Sequence, residues 1–267
     1  MKHNLIALGS DPELFLLDEE GVNVPSEHYF QGDKDNPTDK GDGFFLLCDN
    51  VMVEFNTPPS YTKEEWVENH NTALALIQAE LPEYIKLDIS ASTHFKKEYL
   101  KSKLSRTFGC SPDLDVWREV NNQSPNARTT QRTAAGHIHI SYTNPSISTS
   151  LKLAKLCDYF LGLPSLFIDK DIERRKMYGK AGAVRLKQWG FEYRVLSNFW
   201  LKSQEETEWI FLQVQKIFEF LEANPDFDFA DGEEVVQAIN NFDKELASTL
   251  MAKYSTFYVP LKTEQYV

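Results

Sequence analysis

Four short segments of this sequence alternate polar with apolar residues in the manner of a β-strand that is solvated on one side only. They read GSDPELFL from residue 9, NVMVEFN from residue 50, AAGHIHIS from residue 134 and GFEYRVLS from residue 190. Because successive side chains of a strand point to opposite faces, residues i and i+2 share a face. The apolar positions therefore belong to a core, and the polar positions gather on the other face of a sheet.

The polar positions are carboxylates, imidazoles and an arginine. The pairs are Asp11 with Glu13, Glu54 with Asn56, His137 with His139, and Glu192 with Arg194. A single pair of this kind is typical of a solvated surface. If all four converge, the carboxylates cannot all be ionised side by side without cations. A cluster of divalent metal ions resolves that conflict, and the oxygen-rich ligand set favours Mg²⁺ or Mn²⁺ over Zn²⁺. Arg194 is then placed to hold a phosphate oxygen.

The charge distribution favours small phosphorylated ligands over long nucleic acid. The chain has 28 Lys and Arg against 40 Asp and Glu, a net charge of −12 at pH 7. Within this acidic chain the stretch from Arg174 to Arg194 is cationic, and a second basic run lies between Lys96 and Arg106. Duplex binding requires an extended cationic face. Two short basic stretches are better suited to small anions.

The pattern of elements predicts an α+β domain with a mainly antiparallel sheet. Strands are predicted over residues 5–17, 49–57, 85–92, 134–142 and 191–195. Thr62 and Ser203 each precede a glutamate by three residues, the capping-box spacing that begins a helix. A further helix follows Pro145, and one last helix presents Val235 to Leu250 on one face. Because strands dominate early and helices gather late, this arrangement is favoured over a doubly wound parallel sheet.

Several well-known sites are absent from the sequence. It contains no GxxxxGK[ST], GxGxxG, HExxH or GxSxG motif. Cys48, Cys110 and Cys157 are too widely spaced for a metal or redox motif, so we expect buried free thiols. No apolar stretch is long enough for a membrane span, and acidic residues follow the N-terminus too soon for a signal peptide. We expect a protein of the cytoplasm.

The order of the motifs resembles the glutamine synthetase and glutamate–cysteine ligase superfamily, and within it the phage-type carboxylate–amine ligases. The motifs that carry the resemblance are Gly9-Ser-Asp-Pro-Glu13-Leu-Phe15, Val53-Glu54-Phe-Asn-Thr57-Pro58, Gly136-His-Ile-His139-Ile, the basic stretch from Arg174 to Gly182, and Glu192-Tyr-Arg194. The resemblance implies a single domain over residues 1–267. Its curved antiparallel sheet would carry helices on the convex face, including those after about residue 203.

The resemblance also implies ATP and two or three Mg²⁺ or Mn²⁺ ions on the concave face. Carried over by position, the metal ligands would be Asp11, Glu13, Glu54, His137 and Glu192. Relatives often have Glu where this chain has Asp11. The nucleotide would be contacted by His139, Arg194, Lys187, Arg175 and Lys180, and the catalytic residues would be Arg194, Arg185 and Glu192. Arg174 is another possible clamp for phosphate or carboxylate.

The implied reaction is ATP-dependent amide formation through an acyl phosphate. The partners would be a small or peptide carboxylate and an amine, with neither long nucleic acid nor membrane, and a homo-oligomer is one possible assembly. If the chain is encoded by a phage, the location would be the host cytoplasm. Two alternatives stay open from the sequence: a guanidino or carboxylate kinase on the same fold, and a non-catalytic metal- or nucleotide-binding protein. We expect the loop over residues 107–132 to border the site.

Overall fold

The structure is a computed structural model that describes residues 3–106, 113–122 and 129–261. Its strands are β1 Leu5–Ser10, β2 Glu13–Leu17, β3 Asn23–Val24, β4 Thr38–Asp39, β5 Phe45–Asp49, β6 Met52–Asn56, β7 Lys86–Asp88, β8 Ser92–His94, β9 Leu114–Asp115, β10 Val120–Asn121, β11 Gln131–Thr133, β12 Ile138–Tyr142, β13 Ala183–Lys187 and β14 Gly190–Tyr193. Its α-helices are α1 Lys63–Glu80, α2 Ile147–Cys157, α3 Leu163–Ile168, α4 Ile172–Met177, α5 Gln204–Ala223, α6 Gly232–Asn241 and α7 Lys244–Ala252.

Two antiparallel sheets meet near the N-terminus. The first has the strand order β1-β12-β14-β13-β9-β10, and the second has β3-β2-β6-β5-β4 with β7 paired to β2. The chain passes from the first sheet to the second through Asp11 and Pro12. The amide of Glu13 donates to Ala135 O at 2.9 Å and that of Phe55 donates to Pro12 O at 3.2 Å, which fastens this step on both sides. The predicted mixed α+β class is confirmed.

Strand β12 alternates buried and accessible side chains as the sequence predicted, whereas Glu13, Glu54 and Glu192 of β2, β6 and β14 are buried like their apolar neighbours. In β12 the side chains of Ile138, Ile140 and Tyr142 are buried, whereas His139 and Ser141 are half-buried. Helices α2 and α5 pack against strands of the first sheet. The apolar face of β12 therefore belongs to the main core, and its polar face stays accessible to a ligand.

Helix ends follow the predicted capping residues. Thr62 Oγ1 accepts from the amide of Glu65 at 3.1 Å, and the Glu65 side chain accepts from the amide of Thr62, so a full capping box begins α1. Ser203 caps α5 by accepting from the amide of Glu206. Helix α2 continues through a π-helical turn, Asp158–Gly162, into α3.

Several predicted elements differ from the structure in extent. The predicted strand over 5–17 is two strands because Asp11-Pro12 interrupts it, and residues 85–92 form only short strands. The single last helix is two helices, α6 and α7, because Phe242 takes a left-handed conformation with φ of 58°. The apolar spacing continues across that break, so periodicity alone could not reveal it.

Part of the predicted loop 107–132 and one cysteine fall outside the described residues. Residues 107–112 and 123–128 are among those not described, and with them Cys110. Cys48 and Cys157 are buried free thiols, as predicted. Among the described helices, none combines the length and hydrophobicity needed to cross a bilayer.

Candidate functional site

Two clusters of acidic and imidazole side chains lie where the two sheets meet. We call Glu13, Asp49 and Glu54 the Glu13 group, and Asp11, His139 and Glu192 the Glu192 group. Within each group, one ligand atom from every residue lies within 4.8 Å of the others. The segment from Asp11 to Glu13 contributes one carboxylate to each group.

Strand pairing builds the Glu13 group. Glu13 at the start of β2 lies opposite Glu54 of β6, and Asp49 ends the neighbouring strand β5. All three residues are buried. Lys34 Nζ lies 2.8 Å from Asp49 Oδ2, and Glu13 Oε2 accepts from the amide of Ala135 at 2.8 Å. Three carboxylates thus share one buried place, and Lys34 pairs with Asp49 among them.

Burial and the neighbouring charges favour the neutral forms of Glu13 and Glu54 in the metal-free protein. Burial, and then the charge of Asp49, raise the pKa of Glu13 from 4.5 to about 8. Burial and the charges of Asp11 and Asp49 raise the pKa of Glu54 well above its usual value. A divalent cation would stabilise the ionised forms instead.

The Glu192 group is built by three neighbouring strands. His139 of β12 lies opposite Gly9 of β1 on one side and opposite Glu192 of β14 on the other. His139 Nε2 lies 3.3 Å from Asp11 Oδ1. His137 joins the group from its edge, with Nδ1 at 3.1 Å from Asp11 Oδ1 and 3.6 Å from Glu192 Oε1.

The two histidines of this site differ in their electrostatics. Burial, reinforced by Arg194, lowers the pKa of His137 to about 4, so its imidazole is neutral at pH 7. Burial alone would lower the pKa of His139, but Asp11 raises it above its ordinary value. In turn, although burial favours the neutral acid, the two imidazoles hold the pKa of Asp11 well below its usual range.

Cations surround Glu192, in contrast to the Glu13 group. Arg185 Nη1 lies 3.1 Å from both Glu192 carboxylate oxygens, and Lys187 Nζ lies 3.6 Å from Oε2. Their side chains are 30% and 35% exposed. Both cations therefore reach the carboxylate from the solvent side, where they could also contact an anionic ligand.

Arg194 is placed differently from the sequence prediction. Its side chain is only 1% exposed and donates to Glu192 Oε1 and to the hydroxyl of Tyr178. Its Nε lies 3.3 Å from Asp113 Oδ2. Because these partners engage the guanidinium inside the protein, its geometry suits the orientation of Glu192 better than an open phosphate contact.

Arg174 and Arg175, two other basic residues predicted to bind a ligand, donate hydrogen bonds to oxygens of the protein itself. Arg174 donates to the carbonyl oxygens of Ala134, Val195 and Leu196, at 2.9, 2.8 and 2.7 Å. The Arg175 guanidinium is buried and donates to Ser165 Oγ at 2.6 Å. The sequence predicted Arg174 as a clamp and Arg175 as a nucleotide contact; the fold turns both side chains inward, and their contact with a ligand stays a prediction. Lys180 is half-buried, and burial, together with Arg175, lowers its pKa.

Sequence reasoning missed Asp49, Asp113 and Tyr178. Tyr178 ends α4 and its hydroxyl lies 3.3 Å from His137 Nε2, so it touches both His137 and Arg194. Asp49 closes an apolar strand, which was a signal available in the sequence. Asp113 and Tyr178 lie in no comparable pattern.

The donor sets of both groups fit a hard divalent cation. Carboxylate oxygens dominate them, and an imidazole is present in the second. His139 Nε2 is buried and lies 3.3 Å from Asp11 Oδ1. Such a nitrogen close to two carboxylates is a suitable ligand atom.

A cavity of about 520 Å³ opens beside the Glu13 group. Glu54 and Lys34 line it together with the apolar side chains of Phe45 and Leu47, and Asn56 adds an amide. It is large enough for a small organic molecule. A ligand in this cavity would lie next to the Glu54 carboxylate.

Comparisons with known proteins give one family match. Residues 118–256, just over half of the chain, match the family described as phage phiEco32-like COOH.NH2 ligase-type 2. Among solved structures, the chain is similar to a bifunctional glutathione synthetase from Pasteurella multocida, with a TM-score of 0.47 and 10% sequence identity. The alignment covers 94% of this chain and 49% of that protein, so the chain spans about half of its length. The comparison with curated proteins finds no match.

Proposed function

The chain belongs to the phage phiEco32-like COOH.NH2 ligase-type 2 family, and from this premise we propose that it joins a carboxylate to an amine with hydrolysis of ATP. Phosphoryl transfer from ATP to the carboxylate would give an acyl phosphate. The amine would then attack the acyl carbon, form the amide bond and release phosphate. We further propose a single domain over residues 1–267 with the catalytic fold of the glutamine synthetase and glutamate–cysteine ligase superfamily.

The observation that carries this proposal is the contrast between the two groups. Three buried carboxylates form the Glu13 group, with Lys34 paired to Asp49, whereas the partly exposed Arg185 and Lys187 reach Glu192. A phosphoryl-transfer site needs both features, because phosphate oxygens must be neutralised while the reacting groups are positioned. Both features occur at this site, because Asp11 belongs to the Glu192 group and Glu13, two residues later, to the Glu13 group.

Mg²⁺ or Mn²⁺ fits both groups. The Glu13 group would hold one ion through Glu13, Glu54 and Asp49, and the second group would hold another through Asp11, Glu192 and His137 or His139. When bound, these ions would neutralise the charge of the phosphates.

Side chains of this protein would perform the remaining tasks. Arg185 and Lys187 are exposed enough to hold phosphate oxygens. Arg194 keeps Glu192 in place from within the protein, so we assign it a positioning role. His139 of β12, which lies opposite Glu192, is the imidazole that we propose contacts these phosphates. The cavity beside Glu54 offers room for one of the two organic substrates.

Turnover of the purified full chain tests the proposal. With ATP, Mg²⁺ and a panel of acids and amines, we expect ADP and phosphate to appear in equal amounts with an amide product. Glu192→Gln should lower that turnover at least about a hundredfold, since removing one preorganised electrostatic contact costs this much. Glu173→Gln, on the exposed first turn of α4, is the matched control.

Two other results would replace the proposal. A phosphorylated product that accumulates without amide would indicate a kinase. Bound ATP without turnover across the panel would indicate a non-catalytic nucleotide-binding protein. Crystals grown with Mn²⁺ and a non-hydrolysable ATP analogue should show anomalous signal at both groups.

A further inference from the structure

Trp189 differs from the other four tryptophans of the chain. Each of those four donates its indole N–H to a protein oxygen: Trp66 to Thr207, Trp117 to Asp158, Trp200 to Gly136 and Trp209 to Val259. Trp66, Trp200 and Trp209 are also buried. Trp189 instead is 40% exposed. Single exposed apolar side chains are common on protein surfaces, so the position of the Trp189 ring has to decide whether it meets a ligand.

The backbone fixes the position of Trp189. It lies in the turn between β13 and β14, where Lys187 pairs with Gly190. The amide of Tyr142 donates to the Trp189 carbonyl oxygen at 3.4 Å. Gly190 has φ of +150°, and a Cβ there would lie 2.0 Å from Ile140 O. Residue 190 must therefore be glycine for the turn to lie against β12. This close packing fixes the position of the Trp189 backbone next to β12.

The ring lies at the rim of the Glu192 group. Its centroid is 5.8 Å from that of His139, with the two planes inclined by 45°. Lys187, two residues earlier, reaches Glu192 at 3.6 Å. A partly exposed aromatic ring thus lies close to the cations that we propose bind the phosphates. Nucleotide sites combine these two elements, because a base stacks on an aromatic ring while cations hold the phosphates.

We propose that the exposed indole of Trp189, beside His139 at the rim of the Glu192 group, stacks on the planar base of the nucleotide. This inference rests on the proposed function, since it requires a nucleotide whose phosphates bind near Arg185 and Lys187. Stacking acts on the base alone. Trp189 should therefore affect binding of a nucleotide and leave binding of a bare polyphosphate unchanged.

Calorimetric titration of the full chain with two probes tests this. The probes are a non-hydrolysable ATP analogue and inorganic tripolyphosphate, each with Mg²⁺. We expect Trp189→Ala to weaken binding of the analogue by about tenfold, equivalent to about 1.4 kcal/mol, with tripolyphosphate binding unchanged. Trp189→Phe keeps an aromatic face and should retain most of the affinity. Tyr84→Ala, at a side chain that is 50% exposed, is the matched control and should change neither affinity.

The outcomes separate the two proposals. If the analogue binds and Trp189→Ala weakens both probes equally, or neither, the stacking inference is wrong and the proposed function stands. If the wild-type protein binds neither probe, the proposed function fails, and this inference fails with it. Quenching of tryptophan emission by the analogue in the wild type but not in Trp189→Phe gives a second readout. Quenching that persists unchanged in Trp189→Phe would contradict the inference.

Discussion

Replacing Glu13 with glutamine should stabilise the metal-free protein. Its folded pKa of about 8 lies above the ordinary 4.5, because burial and the charge of Asp49 oppose ionisation. At pH 7 the unfolded chain ionises this acid and the folded chain does not. The unfolded pKa of 4.5 lies 2.5 units below pH 7. Ionisation of the unfolded acid therefore favours the unfolded state by about 3.4 kcal/mol, at about 1.36 kcal/mol per unit. Glutamine has nearly the same shape, stays neutral in both states and can still accept from the amide of Ala135.

The size of this effect depends on pH and on bound metal. A raised folded pKa contributes stability that is complete below pH 4.5 and is lost as pH rises towards 8. The advantage of Glu13→Gln should therefore be absent at pH 4, grow to about 3 kcal/mol at pH 7, and raise the melting temperature by roughly 2 °C per kcal/mol. Mn²⁺ should stabilise the wild type, whose carboxylate can ligate it, and stabilise the variant far less.

Urea unfolding of chelator-treated protein at pH 4 and pH 7, with and without Mn²⁺, measures these terms. Glu27→Gln, an acid in the 3-10 helix Ser26–His28 that contacts β6, is the control. Should Glu13→Gln lower the stability of the metal-free protein at pH 7, the carboxylate would be ionised and used by the fold. The reasoning about crowded acids would then be wrong.

Three further predictions concern other parts of the molecule. Burial lowers the pKa of His70 to about 4, so lowering the pH from 7 to 5 protonates this histidine in the unfolded chain only and should lower the free energy of unfolding by about 2 kcal/mol. Urea unfolding of the wild type and of His70→Gln at both pH values measures the loss. An equal pH dependence in both proteins would contradict the prediction. Arg174→Met leaves three backbone carbonyls without their donor and should cost at least about 3 kcal/mol, whereas exposed Lys176→Met should be neutral; equal stability of the two in urea would refute the structural role. Asp49→Asn should weaken Mn²⁺ binding about tenfold, or about 1.4 kcal/mol, measured by calorimetry against exposed Asp39→Asn; an unchanged affinity would remove Asp49 from the ligand set.

Local patterns predicted much of the polar face. The alternation in β12 and β14 identified His139 and Glu192, and strand pairing places them opposite each other. The period of two is a property of the strand itself, so sequence suffices to find it. The partners across the sheets depend on register, which the sequence did not specify.

The basic stretch shows where such reasoning ends. Arg174 and Arg175 read as cations for a ligand, but the fold supplies backbone carbonyls and a hydroxyl as their partners. Long charged side chains can turn inward when acceptors are brought together by distant segments. Asp113 and Tyr178 were missed for the same reason, since their contacts with Arg194 exist only after folding.

The short segment from Asp11 to Glu13 fixes the distance between the two groups of acidic side chains. Two residues of chain span at most about 7 Å, and the peptide group between Pro12 and Glu13 is hydrogen-bonded to Ala135 and to Phe55. The distance between the backbone positions of Asp11 and Glu13, and so between the two groups, is therefore limited by the covalent chain itself. Substitutions in the surrounding loops can change the shape of the substrate entrance and leave the distance between Asp11 and Glu13 the same.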